Sequence, residues 1–264
     1  MKKMIIGIII GGIIFGTIGV IAATTISSNN VTYDNKTVSK ALDELFLISD
    51  KYAKVYKNGY IVYYNPVTNK KCNYNEAVST TGTKTGCMKW YIFNDTENAS
   101  TVNMILDHNT TAGVAYNSTN VNTEPKEVAI ALTNDTQSWN SRLKARLITA
   151  DEIAIITGNT SFSGTTSTGD SWFYFDSNNQ TQIATTQGAS KYSWLFDYTS
   201  ACTKYGCNIA DSSSFGYWTS TTVAGSPSGV WLVTRNGNLG NYRAGFADTR
   251  GIRPVITISK SIIQ

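Results

Sequence analysis

The side chains best suited to covalent or metal chemistry are four cysteines, and they fall into two local pairs. Cys72 and Cys87 bracket a polar loop rich in Thr and Gly, and Cys202 and Cys207 bracket Thr203-Lys204-Tyr205-Gly206. Four cysteines can be joined in three ways. Local pairing, Cys72–Cys87 and Cys202–Cys207, demands the least rearrangement of the chain. The first link would close a loop of ~15 residues and add ~3 kcal/mol. Zinc is the rival occupant, but it favours Cys-x-x-Cys spacing or histidine partners, and the chain has a single histidine. The cysteines therefore read as a disulfide framework, which suits an exported chain. Neither a metal nor a cofactor is expected.

That histidine, His108, lies between Asp107 and Asn109 and invites a role as general base. No nucleophile with an orienting acid can be picked out beside it, and the reading preferred here is a structural histidine at a strand end. Asp151 and Glu152 offer two adjacent carboxylates. Thr149, three residues before Glu152, makes a capping box with it, and this accounts for Glu152 without acid–base catalysis. Arg146 and Arg253 read as structural, through ion pairs or backbone contacts. No catalytic residue is assigned, and the chain is not expected to be an enzyme.

The residues best suited to recognition lie between Thr221 and Arg250. Trp231, Arg235, Asn238, Asn241, Tyr242, Arg243, Phe246 and Asp248 are set among glycines there. Aromatic and arginine side chains on Gly/Asn-rich loops make adaptable contact surfaces. The competing reading, solvated side chains on hairpin turns, stands beside it, and Trp231 is also a candidate for the core.

Elements must position these groups. Met1-Lys2-Lys3 precedes an uncharged stretch from Met4 to Ala23. About 20 helical residues span the ~30 Å of a bilayer core, and the lysines orient such a segment with the C-terminus outside. A cleaved signal peptide is the alternative, with Val20-Ile21-Ala22 as its small-residue end; a retained anchor is preferred because the apolar run is long. Gly7-x-x-x-Gly11 and Gly12-x-x-x-Gly16 would permit close helix approach and self-association. Residues 37–48 then show helical spacing, with Thr37 as N-cap, and suggest a short stalk helix.

From Tyr60 the pattern becomes β, with strands over 60–64, 88–93 and 101–107. Residues 126–132 read as a helix, with Trp139 closing onto the core. A helix follows Thr149 and ends at Gly158. Aromatic core segments fall at 172–175 and 192–198. Strands are expected at 216–220 and 229–234, and Asn236-Gly237 signals a hairpin returning from Leu239. A closing strand is expected over 251–258. The net charge is +4, half of it from Lys2 and Lys3, and no other basic run is present. A nucleic-acid footprint is thereby missing. Only 15% of residues are charged, beside 15 Tyr and 6 Trp, a composition common in β-rich extracellular domains.

Taken in order, three segments resemble formylglycine-generating-enzyme-like domains. These are Ala145-Arg-Leu-Ile-Thr-Ala-Asp-Glu152, Gly216-Tyr-Trp-Thr-Ser-Thr221 and Asp248-Thr-Arg-Gly-Ile-Arg-Pro-Val255. That resemblance covers roughly the C-terminal half of the chain and implies a C-type-lectin fold. Asn65-Pro66, Gly86-Cys-Met-Lys-Trp-Tyr91, Leu106-Asp-His-Asn-Thr-Thr111 and the ending from Gly251 to Ile258 resemble uncharacterised surface proteins of gut Firmicutes.

The departures limit what carries over. Oxidase members of the first family hold copper with a cysteine pair beyond the Trp-Thr-Ser strand, and no cysteine follows Cys207. The related iron enzymes need several histidines. Calcium-dependent lectins use Glu-Pro-Asn, whereas Glu124-Pro125 is followed here by Lys126, a cation where a ligand oxygen is required. The resemblance thus implies the fold and not these chemistries.

The expectation is an α+β, C-type-lectin-like mixed fold, β-rich with few helices, behind an N-terminal transmembrane helix and a short stalk helix. Its parts are an anchor or signal peptide at 1–25, a linker and stalk at 26–55, and an extracytoplasmic domain at 56–264. The expected function is a single-pass cell-membrane protein displaying a lectin-like face to an extracellular protein or glycan, with self-association through the N-terminal helices. A formylglycine-generating-type enzyme with replaced or lost catalytic residues, or a structural envelope protein, is the alternative.

Overall fold

The computed structural model describes residues 32–33, 36–37, 54–79, 84–111, 113–158, 162–164, 175–176, 179–182, 192–196, 216–234, 239–247 and 250–264. The chain divides into two compact units, Met1–Ser49 and Asp50–Gln264. In the first, β1 (Thr32–Tyr33) pairs antiparallel with β2 (Lys36–Thr37). Thr37, expected as an N-cap, faces Thr32 in that ladder. The expected anchor and the rest of the stalk lie outside the described residues. Among the described residues no helix is long and apolar enough to cross a membrane.

The second unit is β-rich with few helices. Its larger sheet has six strands: β3 (Tyr60–Asn65), β4 (Lys70–Lys71), β5 (Val78–Ser79), β6 (Cys87–Phe93), β7 (Thr101–Leu106) and β14 (Val255–Ser259). They run in the order β14-β7-β6-β3-β4, and β5 lies parallel to β6. Its smaller sheet has the order β12-β11-β10-β13, formed by β10 (Gly216–Thr222), β11 (Gly229–Val233), β12 (Leu239–Arg243) and β13 (Arg250–Gly251). A short ladder joins β8 (Phe175–Asp176) to β9 (Asn179–Gln182). The described helices are α1 (Lys126–Thr136), α2 (Ala150–Thr157) and α3 (Ser193–Phe196).

Side chains alternate across a strand, and the alternation here builds three apolar layers. Tyr91, Phe93, Ile105 and Val255 of the larger sheet meet Tyr217, Trp231, Val233 and Leu239 of the smaller, with Ile153 and Ile156 of α2 and Trp194 to Phe196 of α3. On the far side of the larger sheet, Tyr64, Met88, Trp90, Met104 and Ile256 gather around Trp139. Trp139 thus closes onto the core as its sequence position suggested, and its Nε1 donates to the Lys84 carbonyl at 2.7 Å. On the far side of the smaller sheet, Trp218, Val230 and Leu232 pack with Tyr116, Leu147 and Val128 of α1.

The capping box at the start of α2 is present on both sides. Glu152 N donates to Thr149 Oγ1, Thr149 N donates to Glu152 Oε2, and Gly158 ends the helix in the left-handed region at φ 70°. Glu152 is also gripped by both terminal guanidinium nitrogens of Arg146 at 2.6 and 2.7 Å. Its carboxylate is occupied by the helix end, as expected.

The expected closing strand over 251–258 is two strands in two sheets. Gly251 belongs to β13, parallel to β10, and Val255 opens β14 beside β7. Between them, Pro254 lacks an N–H for a ladder, and its carbonyl accepts from Leu106 N at 2.9 Å. Arg253 turns inward and is buried. Glycine is required at the crossing. A Cβ on Gly216 would stand 2.0 Å from the Val233 carbonyl oxygen, and one on Gly251 2.6 Å from that of Thr111.

Candidate functional site

The edge of the smaller sheet leads into a pair of exposed aromatic rings, Tyr242 and Phe246; Tyr60 and Tyr63 of β3 are exposed as well. β11 and β12 pair antiparallel with Val230 opposite Tyr242 and Trp231 opposite Asn241. A turn follows, closed by Phe246 N donating to the Arg243 carbonyl at 3.2 Å. Gly245 N is held by Asn120 Oδ1 at 3.1 Å, and Asn117 N by the Ala244 carbonyl at 3.0 Å. The turn brings Phe246 edge-on to Tyr242, with ring centroids 4.9 Å apart at 81°. Both rings stay about two-fifths exposed, at 41% and 42%.

Beneath them lies Arg250, which is buried. Its guanidinium carbon sits 4.0 Å from the Tyr242 ring centroid, 5.8 Å from Phe246 and 5.9 Å from Trp218. Trp218 is anchored by Nε1 to the Val114 carbonyl at 2.7 Å and meets Tyr116 edge-on at 5.7 Å. Two open rings thus rest on a cation and a buried indole, which fixes their orientation.

The expected contact residues separate on this framework. Tyr242, Arg243 and Phe246 are exposed and adjacent along the chain, and Asn241 is half-buried beside them. Trp231 is corrected to a core residue. It is fully buried, packs edge-on against Phe162 at 5.0 Å and donates to the Gly164 carbonyl at 3.2 Å. The strand period decides this: Trp231 faces the layer between the sheets, while its neighbours Val230 and Leu232 face the opposite one. Arg235, Asn238 and Asp248 lie outside the described residues. Nothing in the sequence signals that Arg250 folds under Tyr242.

A second cluster surrounds the Asp107–Asn109 segment that follows β7. Asp107, His108 and Asn109 are all buried. Asp107 accepts from Tyr91 Oη at 2.7 Å and pairs with Lys89 at 3.2 Å. His108 Nδ1 stands 3.9 Å from Asp107 Oδ2, outside hydrogen-bonding range. Burial alone would raise the Asp107 carboxyl, but the Tyr91 hydrogen bond and the Lys89 and Arg253 charges oppose it, and the carboxyl is held below the ordinary carboxylate value. Burial, reinforced by Asp107, pushes the Tyr91 hydroxyl well above its usual range. The adjoining Thr110 and Thr111 each donate to Asp135 Oδ2 at 2.6 Å, and Lys84 pairs with the other oxygen of that carboxylate. Thr110 and Thr111 thus tie the segment after β7 to α1, whereas both ring nitrogens of His108 are buried without a hydrogen-bond partner among the described residues.

A pH effect follows with a definite sign. Because folding lowers the Asp107 pKa, its contribution is fully present above the unfolded carboxylate value of about 4 and is lost as pH falls through the lower folded value. Denaturant titrations from pH 7 to pH 2 should show Asp107→Asn less stable than the parent at neutral pH, with the gap closing below about pH 4. A gap that stays constant with pH would contradict the assignment.

Cys72 and Cys87 are joined in a disulfide with Cα atoms 5.8 Å apart. Cys202 and Cys207 lie outside the described residues. No protein-family model, no curated protein and no solved structure matches the chain.

Proposed function

We propose that this chain is a binding protein of the cell surface, a C-type-lectin-like domain held to the membrane by its N-terminal segment. Its recognition face comprises Tyr242, Phe246 and Arg243. The observation that carries this reading is the exposed Tyr242–Phe246 pair seated on Arg250, 4.0 Å beneath the tyrosine ring. Half-exposed aromatics with fixed orientation supply contact area without the ordering cost of flexible side chains. An exposed arginine beside them adds directional donors. The Lys2-Lys3 flank and the apolar run from Met4 to Ala23 support membrane attachment with the domain outside. The carboxylates of Glu152, Asp107 and Asp135 are engaged by a helix cap and by neighbouring side chains, which favours binding over catalysis.

The test is an array of glycans and cell-surface proteins probed with the full chain, followed by Tyr242→Ala combined with Arg243→Ala on any ligand found. Hot-spot truncation typically costs ~2 kcal/mol or more, so affinity should fall at least about tenfold. The loss of stability should stay near ~1 kcal/mol, the worth of the ring pair and its cation contact. Unchanged affinity would place recognition elsewhere.

A further inference from the structure

We propose that Cys72, Cys87 and Glu76 form a redox-gated site for a thiophilic divalent cation, closed while the disulfide is intact and opened by its reduction. The two sulfurs and a carboxylate oxygen of Glu76 all lie within 4.8 Å of one another. Two thiolates and one carboxylate are a ligand set that zinc accepts, with a water completing a tetrahedron.

The three groups are gathered by backbone contacts that do not depend on the S–S bond. Cys72 N donates to the Tyr63 carbonyl at 3.0 Å. Cys87 opens β6, whose next residue, Met88, pairs with Tyr64, and Val78 of β5 lies opposite Cys87 itself. Glu76 N donates to the Asn73 carbonyl at 3.0 Å and closes the turn between them. Reduction therefore frees the sulfurs to separate by side-chain rotation while their backbones remain neighbours.

Glu76 is also oriented in advance. Asn65 Nδ2 donates to one carboxylate oxygen at 3.0 Å, and Asn73 N donates to the other at 3.2 Å. Such second contacts fix a metal-binding carboxylate and leave lone pairs for the ion. Both Cys72 and Glu76 are half-buried, whereas Cys87 is buried. An attacking thiolate thus reaches Cys72 more readily.

The chemistry balances with a dithiol reductant. Its thiolate attacks the Cys72 sulfur, Cys87 leaves as thiolate and takes a proton, and the second thiol of the reductant then displaces Cys72. Two electrons and two protons have passed to the chain, and the reductant is left as its own disulfide. A divalent cation then takes both sulfurs as thiolates and releases those two protons, so affinity rises with pH.

The experiment uses the full chain carrying Cys202→Ser and Cys207→Ser, so that only one thiol pair can respond. Zinc is titrated against a chromophoric chelator before and after treatment with a phosphine reductant. One zinc per chain is expected after reduction and none before. Glu76→Gln should weaken that binding by about tenfold or more. Cys72→Ser, at the half-buried sulfur, should halve the ultraviolet thiolate-to-cadmium band when cadmium replaces zinc. Circular dichroism of each variant establishes that it remains folded. Failure of the reduced, folded chain to bind one zinc overturns the proposal, as does affinity unchanged in Glu76→Gln.

Discussion

Lys260→Ala should destabilise the domain by about 3–5 kcal/mol, the usual penalty for leaving one member of a buried ion pair alone. Lys260 follows β14 directly, and its side chain and that of Asp95 are both fully buried, with Nζ 2.8 Å from Asp95 Oδ1. The ammonium also donates to the carbonyls of Lys54 and Thr96, each at 3.2 Å. The second carboxylate oxygen accepts from Tyr56 N at 2.9 Å. Three separated stretches of chain meet on this one cation. Without it the Asp95 charge has no compensation and three polar groups lose a partner at once. Lys260→Met combined with Asp95→Leu removes both charges and should cost clearly less than Lys260→Ala. Urea unfolding midpoints at constant m-value provide the comparison. A loss below about 1 kcal/mol in the single variant would show that water reaches Asp95 and that the pair is not sealed.

Arg253→Lys should be nearly as damaging as Arg253→Ala, with each losing about 3 kcal/mol or more. The Arg253 guanidinium is a fork set among carbonyls: Nε donates to Leu106, and one terminal nitrogen donates to Trp194 at 2.7 Å and Asp107 at 3.2 Å. It lies 5.2 Å from the Tyr217 ring centroid, and burial pushes the Tyr217 hydroxyl up to about 12 although Arg253 opposes the shift. Hydrogen bonds to a charged group contribute about 1.5–3 kcal/mol each. A lysine has one nitrogen where arginine uses two here, so it cannot stand both where Nε meets Leu106 and where the terminal nitrogen meets Trp194 and Asp107. Hydrogen exchange should report the same event locally, with amides of α3 and of the residues after β7 losing protection together. If lysine retains nearly full stability, charge alone suffices and the fork geometry is incidental.

Period-2 alternation and cap chemistry made much of the fold legible. Tyr60 to Tyr64, Met88 to Phe93 and Gly229 to Val233 alternate or run apolar over strand lengths, and each is a strand. Thr149 with Glu152 marked the start of α2. Local signals could not show where a continuous β pattern changes sheets, so the residues from Gly251 to Ile258 read as one strand. The break depends on what Arg253 and Pro254 meet, over a hundred residues away in sequence. α1 extends to Thr136, beyond the expected end at 132, since Asp135 near its end is held by Lys84, Thr110 and Thr111. For the site, exposure of Tyr242, Arg243 and Phe246 followed from a glycine-punctuated stretch. Trp231 could be read either way from its stretch of sequence, and its place between the two sheets opposite the face of Val230 and Leu232 settles it as core. Arg250 beneath the rings, and the Lys260–Asp95 pair, are tertiary matches with no local signature.

The six-stranded sheet also constrains how the molecule is made. β7 and β14 are neighbours, yet Asn103 and Thr257, which hydrogen-bond across them, are 154 residues apart in sequence. Arg253 reaches back 147 residues to Leu106. A ribosome delivers a chain N-terminus first, so β7 must wait with one edge unsatisfied while nearly all the intervening sequence is synthesised. Non-local pairing of this kind slows folding and leaves an adhesive strand edge open in the interval. In that interval β7 holds an unpaired edge and the apolar side chains of Val102, Met104 and Leu106, buried in the finished fold, open to aggregation. A chaperone that holds the chain extended until β14 emerges would act at that point.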